Sequence, residues 1–244
     1  MRAYHRYFLT LEGKLKQAFS QETEIQTAAE WIAGTLENQG WIYASGTGHS
    51  HLIAEEIFYR AGGFARVRPI LIDELMLHKD APGSTEAERR EGFAAEIMKE
   101  YPIGTGDIFL ISSNSGRNAV SIEMAQLAKS AGAKVIVLTN LAHSKSVKSR
   151  HSSGLKLNQV ADLVLENFGE IGDAAIELPG LSGKTGATST VIGAALIQAI
   201  MVEAASNLLE KGIQPELFNS SNSDDGEIHN EALLAKYKPL VIGL

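Results

Sequence analysis

The chain of 244 residues carries 22 Lys and Arg against 29 Asp and Glu, a formal charge of −7 at pH 7, and no cysteine. The length suffices for a full core in one domain, the acidity argues against a nucleic-acid partner, and the lack of cysteine excludes disulfides and thiolate metal sites and fits a reducing, cytoplasmic setting. The opening Met1-Arg2-Ala3-Tyr4-His5-Arg6 has no signal-peptide character. The longest apolar run, Val191 to Val202, is interrupted by Gln198 and followed by Glu203, so it reads as a buried helix and no membrane partner is expected.

Residues 2–38 predict two helices: Tyr4, Tyr7, Phe8, Leu11, Leu15 and Phe19 recur at helical spacing, and Ile25 to Leu36 follows a break at Ser20 to Glu24. Strand and helix then alternate, with a strand at Trp41 to Ser45, a helix from Ser50 to Ala61 closed by Gly62-Gly63, and a strand at Val67 to Ile72. Residues 73–104 interrupt the rhythm with a polar loop and a helix around Thr85 to Glu100. A strand at Asp107 to Ile111, a helix from Asn118 to Ala131 and a strand at Lys134 to Thr139 restore it. A serine-rich loop, short strands at Ala161 to Leu165 and Ala175 to Leu178, and a long apolar helix from Ala187 to Leu209 lead into a polar tail. In that tail Ser220 to Gly226 is the candidate mobile segment.

Such alternation predicts an α/β fold, a three-layer α-β-α sandwich around a parallel sheet, with ligand binding at the carboxyl ends of the strands. Two small-residue turns fall there: Gly46-Thr47-Gly48-His49-Ser50 and Ser113-Asn114-Ser115-Gly116-Arg117-Asn118. Each stands between an apolar run and a helical pattern, so N–H groups, hydroxyls and a helix N-terminus converge on one spot, for which phosphate is the natural occupant. No Lys or Arg lies in the first turn, so hydrogen bonds and helix dipoles are expected to do most of the holding. The plain alternative is that these serines only cap helices.

Other chemistries fit less well. Gly46-x-Gly48 begins a dinucleotide fingerprint, with Asp73 as a possible ribose partner, but His51 stands where its third glycine belongs. Gly183-Lys184-Thr185 has the tail of a P-loop, but Leu178 replaces the required glycine. His49 and His51 are spaced to point apart, and no metal motif or Gly-x-Ser-x-Gly elbow occurs, so neither a metal nor a cofactor is expected.

The order of the first turn, the Ser113-Asn114-Ser115-Gly116 turn and the Gly186-Ala187-Thr188-Ser189-Thr190 helix start resembles the sugar isomerase (SIS) family of phosphosugar-binding proteins, phosphoheptose isomerase among them. The resemblance spans roughly residues 30 to 210 and implies a flavodoxin-like single domain over 1–244, with an N-terminal helical segment 1–38 and a C-terminal tail 212–244. It implies a phosphorylated sugar held by Gly46, Gly48, Ser50, Ser113, Asn114, Ser115 and Asn118, with Thr188 and Ser189 closing the pocket. Aldose–ketose isomerisation also needs a carboxylate to move a proton and a group to open the ring. Glu55 and Glu56 are the candidates for the first role, in an Ala-Glu-Glu segment similar to the family's, although the family's glutamate falls about a turn later; the bland reading is a Glu56–Arg60 surface pair. His49 or His78 would open the ring, with His229 a further candidate, since no histidine lies between His151 and His229. Glu203 fits either a site or a subunit interface. A non-catalytic phosphosugar sensor and an amino-sugar-phosphate lyase or etherase remain as alternatives. The apolar Val191 to Val202 segment and the Tyr4, Tyr7, Phe8 stripe point to a homodimer or higher homo-oligomer.

Overall fold

The computed structural model describes residues 1–222 and 224–244. In chain order the elements are α1 (Ala3–Phe19), α2 (Glu22–Glu37), β1 (Ile42–Gly46), α3 (Leu52–Ile57), β2 (Val67–Ile70), α4 (Ala81–Ala87), α5 (Phe93–Met98), β3 (Ile108–Ser112), α6 (Ala119–Ser130), β4 (Lys134–Thr139), α7 (Leu141–Ser146), α8 (Leu157–Val160), β5 (Leu163–Glu166), β6 (Ala174–Glu177), β7 (Lys184–Ala187), α9 (Ser189–Glu210) and α10 (Asp224–Tyr237). Five strands form a parallel sheet in the order β2-β1-β3-β4-β5. The chain therefore reverses its direction of winding between β1 and β3, the switch point at which open parallel sheets leave a crevice beyond their strand ends.

Alternation along the strands divides the core into two faces. Ile42, Ala44, Ile108, Leu110, Ile136, Leu138 and Leu165 face α2, α3 and α9. Tyr43, Phe109, Ile111, Val135 and Val137 face α5, α6 and α8. The expected three-layer α/β sandwich is thus the observed one. Helix α9 has the length and hydropathy of a membrane span, but Ile192, Leu196, Ile197, Ile200, Ala204 and Leu208 are buried in the first core face. Its apolarity reflects its packing against α1, α2 and α3 on that face of the sheet.

Four local expectations need correction. The helix after the first turn is shorter than Ser50 to Ala61: a 3-10 turn at Gly48–His51 precedes α3, and Phe58 is already extended. Residues 62–65 instead run beside 216–218, through Gly62 N–H to the Phe218 carbonyl and Ala65 N–H to that of Glu216. The helix expected over Thr85 to Glu100 is two helices parted near Gly92, whose N–H donates to both Glu123 oxygens. The long helix starts at Ser189, because Lys184 to Ala187 pairs with β6 in an antiparallel hairpin. That pairing puts Lys184 and Thr185 of the P-loop-like Gly183-Lys184-Thr185 on a strand.

The polar tail holds a fourteen-residue helix, α10. Of the segment expected to be mobile, Ser223 lies outside the described residues. Asn230, Leu233 and Tyr237 turn inward, and Leu233 and Tyr237 join Ala65, Phe218 and Val241 in a small separate core. Tyr237 is fully buried, meets Trp41 edge-on at 5.7 Å, accepts from Arg66 Nε at 3.0 Å and donates to Glu216. Tyr237→Ala should lower the unfolding free energy by about 3–5 kcal/mol, the range for a large buried aromatic, as read by urea titration. The contact between α10 and Glu216 is also acid-sensitive. Burial works against the Glu216 charge, but Lys236, Tyr237 and Arg66 together hold its carboxyl below the ordinary value. Its contribution is complete above the unfolded-state value and is lost as pH falls through the lower folded-state value.

Candidate functional site

The two glycine and serine turns leave the carboxyl ends of adjacent strands. β1 and β3 are paired in register to their last residues, Gly46 opposite Ser112, so the turns start side by side at the switch point. Gly46 allows a close approach: a Cβ there would lie 2.4 Å from the Ser50 carbonyl oxygen. The first turn closes with the Ser50 N–H donating to the Thr47 carbonyl at 3.0 Å. Ser50 is half-buried and His49 exposed, whereas His51 is buried against the Gly48 carbonyl.

The second turn is anchored from beneath. Ser113 N–H donates to the Leu138 carbonyl, Thr139 Oγ1 donates to the Ser113 carbonyl at 2.7 Å, and Asn140 N–H donates to that of Asn114. Gly116 adopts φ +58 and its N–H donates to Ser113 Oγ at 3.2 Å. Asn167 Nδ2 donates to Asn114 Oδ1 at 3.0 Å, and Asn140, with its Nδ2 buried and unpartnered, lies in the same layer of amides. Above this layer Ser115 stays half-buried, and Asn118 begins α6 and accepts from Arg150 at 3.1 Å.

A residue absent from the sequence-based set ties the turns together. Glu88, just beyond α4, accepts the Thr47 hydroxyl on its carboxylate at 2.6 Å, and its carbonyl accepts the N–H of Val120 in the first turn of α6. One half-buried carboxylate is thereby fixed between the two turns. Arg89 follows it directly, Arg117 lies within the second turn, and Arg150 N–H donates to the Arg117 carbonyl. His143, in α7 beyond β4, accepts the Gly172 N–H on Nδ1, which leaves its proton on Nε2. Burial, reinforced by the Arg117 charge and opposed by Asp173, lowers its pKa and keeps the imidazole neutral at neutral pH.

The other sequence candidates lie in different surroundings. Glu55 is exposed, 3.5 Å from His51 Nε2. Glu56 pairs with Arg60 and accepts from Gln198 Nε2 at 3.0 Å, so the surface-pair geometry is present. His78 is exposed in the loop after β2, and Asp73 in that loop pairs with Lys79 at 2.8 Å. Asp73 and Lys79, with Asp80, Glu86 and Arg90, also line a cavity of about 510 Å³ beside α4. His229 Nε2 meets the Leu217 carbonyl, and Glu203 is exposed on α9. Thr188 and Ser189 are engaged by Asp173, whose carboxylate takes both of their N–H groups and the Ser189 hydroxyl at 2.8–3.0 Å. A carboxylate thus already occupies the N-terminus of α9, whereas in the second turn Ser115 remains half-buried.

Among the described residues one group, Glu91, Glu123 and His151, brings metal-ligand types within 4.8 Å. Its carboxylates are already engaged: both Glu91 oxygens accept from Ser152, and both Glu123 oxygens accept the Gly92 N–H. The group acts as a clamp between residues 91–92 and 151–152.

Comparison with known proteins gives the family and the fold. A family model described as the SIS domain covers residues 6–140. The UPF0309 protein of Halalkalibacterium halodurans is 41% identical over 234 residues, which is 96% of either chain. Among solved structures, a phosphoheptose isomerase from Francisella tularensis aligns with a TM-score of 0.53 at 18% identity, over 84% of this chain and 100% of that one. The NanR protein of Vibrio vulnificus, complexed with ManNAc-6P, aligns with a TM-score of 0.53 at 14% identity, over 96% and 69%. At those identities the two structures speak for the fold.

Proposed function

The chain belongs to the SIS domain family, and from that premise we propose that it binds a phosphorylated sugar between its two turns and interconverts the aldose and ketose forms. The observation that carries the reading is the juxtaposition of the turns across β1 and β3 with Glu88 fixed between them. In this reading the phosphate rests on the second turn, held by Ser113, Ser115 and Asn118 with Asn114 behind them, where N–H groups and hydroxyls meet the N-terminus of α6. Ser50 faces the sugar from the first turn.

Isomerisation needs one base that takes a proton from the carbon beside the carbonyl and returns it to the neighbouring carbon. Glu88 has the position for that role, and the Thr47 hydroxyl orients its carboxylate. Glu55 and Glu56 are the competing carboxylates, each already partnered outside the space between the turns. His143, neutral and with its proton on Nε2, supplies the ring-opening group. Association of two copies belongs to the same reading and is supported by Tyr4 and Phe8 on α1 and Val202 on α9, each more than 60% exposed.

Thermal-shift titration against hexose, heptose, pentose and amino-sugar phosphates, with the free sugars and NAD as controls, tests the binding. Stabilisation by phosphosugars alone is expected, reaching about 2.7 kcal/mol at a hundredfold excess over Kd. Ser115→Trp, which fills the mouth of the second turn, should remove it. Stabilisation by NAD, or an unchanged phosphosugar response in Ser115→Trp, would overturn the reading.

A further inference from the structure

We infer that Arg89, Arg117 and Arg150 form a guanidinium site beside the second turn that selects a dianionic phosphate monoester over a monoanionic ester of the same sugar. The inference rests on the phosphosugar reading and adds the charge that the first turn lacks.

Arg117 lies half-buried in the second turn, Arg150 reaches Asn118 at its end and Arg89 follows Glu88, the last two arginines exposed, in a chain whose formal charge is −7. Among the described residues none of the three enters an ion pair, Arg89 and Arg117 make no side-chain hydrogen bond, and the Nε of Arg117 is buried without a partner. Arg150 makes a single side-chain bond, to Asn118 at the head of α6. Partial desolvation, followed by the charges of Arg117 and Arg89, disfavours the protonated form of the exposed Arg150, and Glu88 offsets this only in part.

Like charges do not assemble without something to hold them, and the clamp does so. Ser152 donates to Glu91 through its N–H and hydroxyl at 2.6–2.7 Å, and His151 Nε2 lies 3.3 Å from Glu123, which also holds the Gly92 N–H. These contacts fasten the segment after Arg89 to the segment after Arg150. The fold therefore spends interactions on keeping two arginines near a third that lies within the turn. Three positive groups and the Glu88 carboxylate leave two uncompensated positive charges, which match a phosphate monoester of about −1.5 to −2 at pH 7. A sulfate ester offers the same tetrahedral oxygens with one negative charge. Arginine forks also suit phosphate oxygens in geometry.

Calorimetric titration of the full chain with glucose 6-phosphate and glucose 6-sulfate, with inorganic phosphate as the minimal probe, provides the test. The wild type should prefer the phosphate ester by about tenfold or more, the scale of one charge-assisted hydrogen bond. R89Q and R150Q should each bring the two esters to near parity and weaken inorganic phosphate by about tenfold. R150K, which keeps the charge, should restore most of the preference, as a purely structural arginine would not. If the wild type binds both esters alike, or the glutamine variants keep its preference, this inference falls while phosphosugar binding stands. If neither inorganic phosphate nor any sugar phosphate of the panel binds, the phosphosugar reading falls and takes this inference with it.

Discussion

Glu88→Gln should lower the isomerisation rate by about 10²–10⁴, the usual contribution of a positioned acid–base group, while phosphosugar affinity changes by no more than a few-fold. The split between rate and binding is the informative part. A glutamine keeps the shape of the side chain, and its carbonyl oxygen still accepts the Thr47 hydroxyl that Glu88 accepts at 2.6 Å. The backbone bond from Val120 N–H to the residue 88 carbonyl is untouched, so both turns keep their brace. What disappears is the capacity to take up a proton. Glu55→Gln and Glu56→Gln serve as the comparison, since Glu55 faces solvent beside His51 and Glu56 is committed to Arg60 and Gln198; both should retain activity within a few-fold. Measured with the sugar phosphate that stabilises the protein most, loss of activity in Glu56→Gln with retention in Glu88→Gln would return the base to the helix after the first turn. A wild type that binds the sugar phosphate without turning it over would mark a sensor, and Glu88 would then be a structural brace between the turns.

The sheet and both turns were legible in the sequence because their signals are local. Ile42 to Ser45, Ile108 to Ile111 and Val135 to Leu138 are short apolar runs, each followed by a turn or polar loop. Glu88 was not legible, because its place depends on partners 41 and 32 residues away, Thr47 and Val120, and because the single helix expected over Thr85 to Glu100 is two, with Glu88 just past the end of the first. His143 left one positional sign: it stands just past the end of β4, on the edge of the sheet where both turns lie. Thr188 and Ser189 do begin the last long helix, but the hairpin that carries Asp173 to them joins strands too short and irregular to read. In α10 the inward residues Asn230, Leu233 and Tyr237 do follow helical spacing, but one of the three is polar and charged neighbours surround them. Local patterning thus settles where the turns lie, and contacts between distant segments settle which charged groups face them.

Gly46→Ala should reduce phosphosugar affinity by about a hundredfold or more, because displacement of a site by roughly 1 Å carries a penalty of that order. The added methyl would sit 2.4 Å from the Ser50 carbonyl oxygen, 2.5 Å from its carbon and 2.8 Å from the His51 nitrogen. All three are backbone atoms, so no rotamer change relieves the contact. Either the first turn opens away from the end of β1 or β1 shifts against β3. In both cases Ser50 and Thr47 leave their present relation to the second turn, and Glu88 loses its hold on the Thr47 hydroxyl. The stability penalty should be smaller in effect, about 1–3 kcal/mol as for other overpacked sites, so the variant should fold and be measurable by titration calorimetry alongside its denaturation curve. Gly48 provides the contrast. It adopts φ +55, a conformation that asparagine tolerates, and a Cβ there would meet only Leu77 at 3.9 Å. Gly48→Asn should therefore bind within a few-fold of wild type. Wild-type affinity in Gly46→Ala would mean that the first turn takes no part in holding the ligand and that the second turn alone makes the site. Lost affinity in Gly46→Ala with retention in Gly48→Asn would show that the close packing of the turn against β1, rather than glycine content as such, is what the ligand requires.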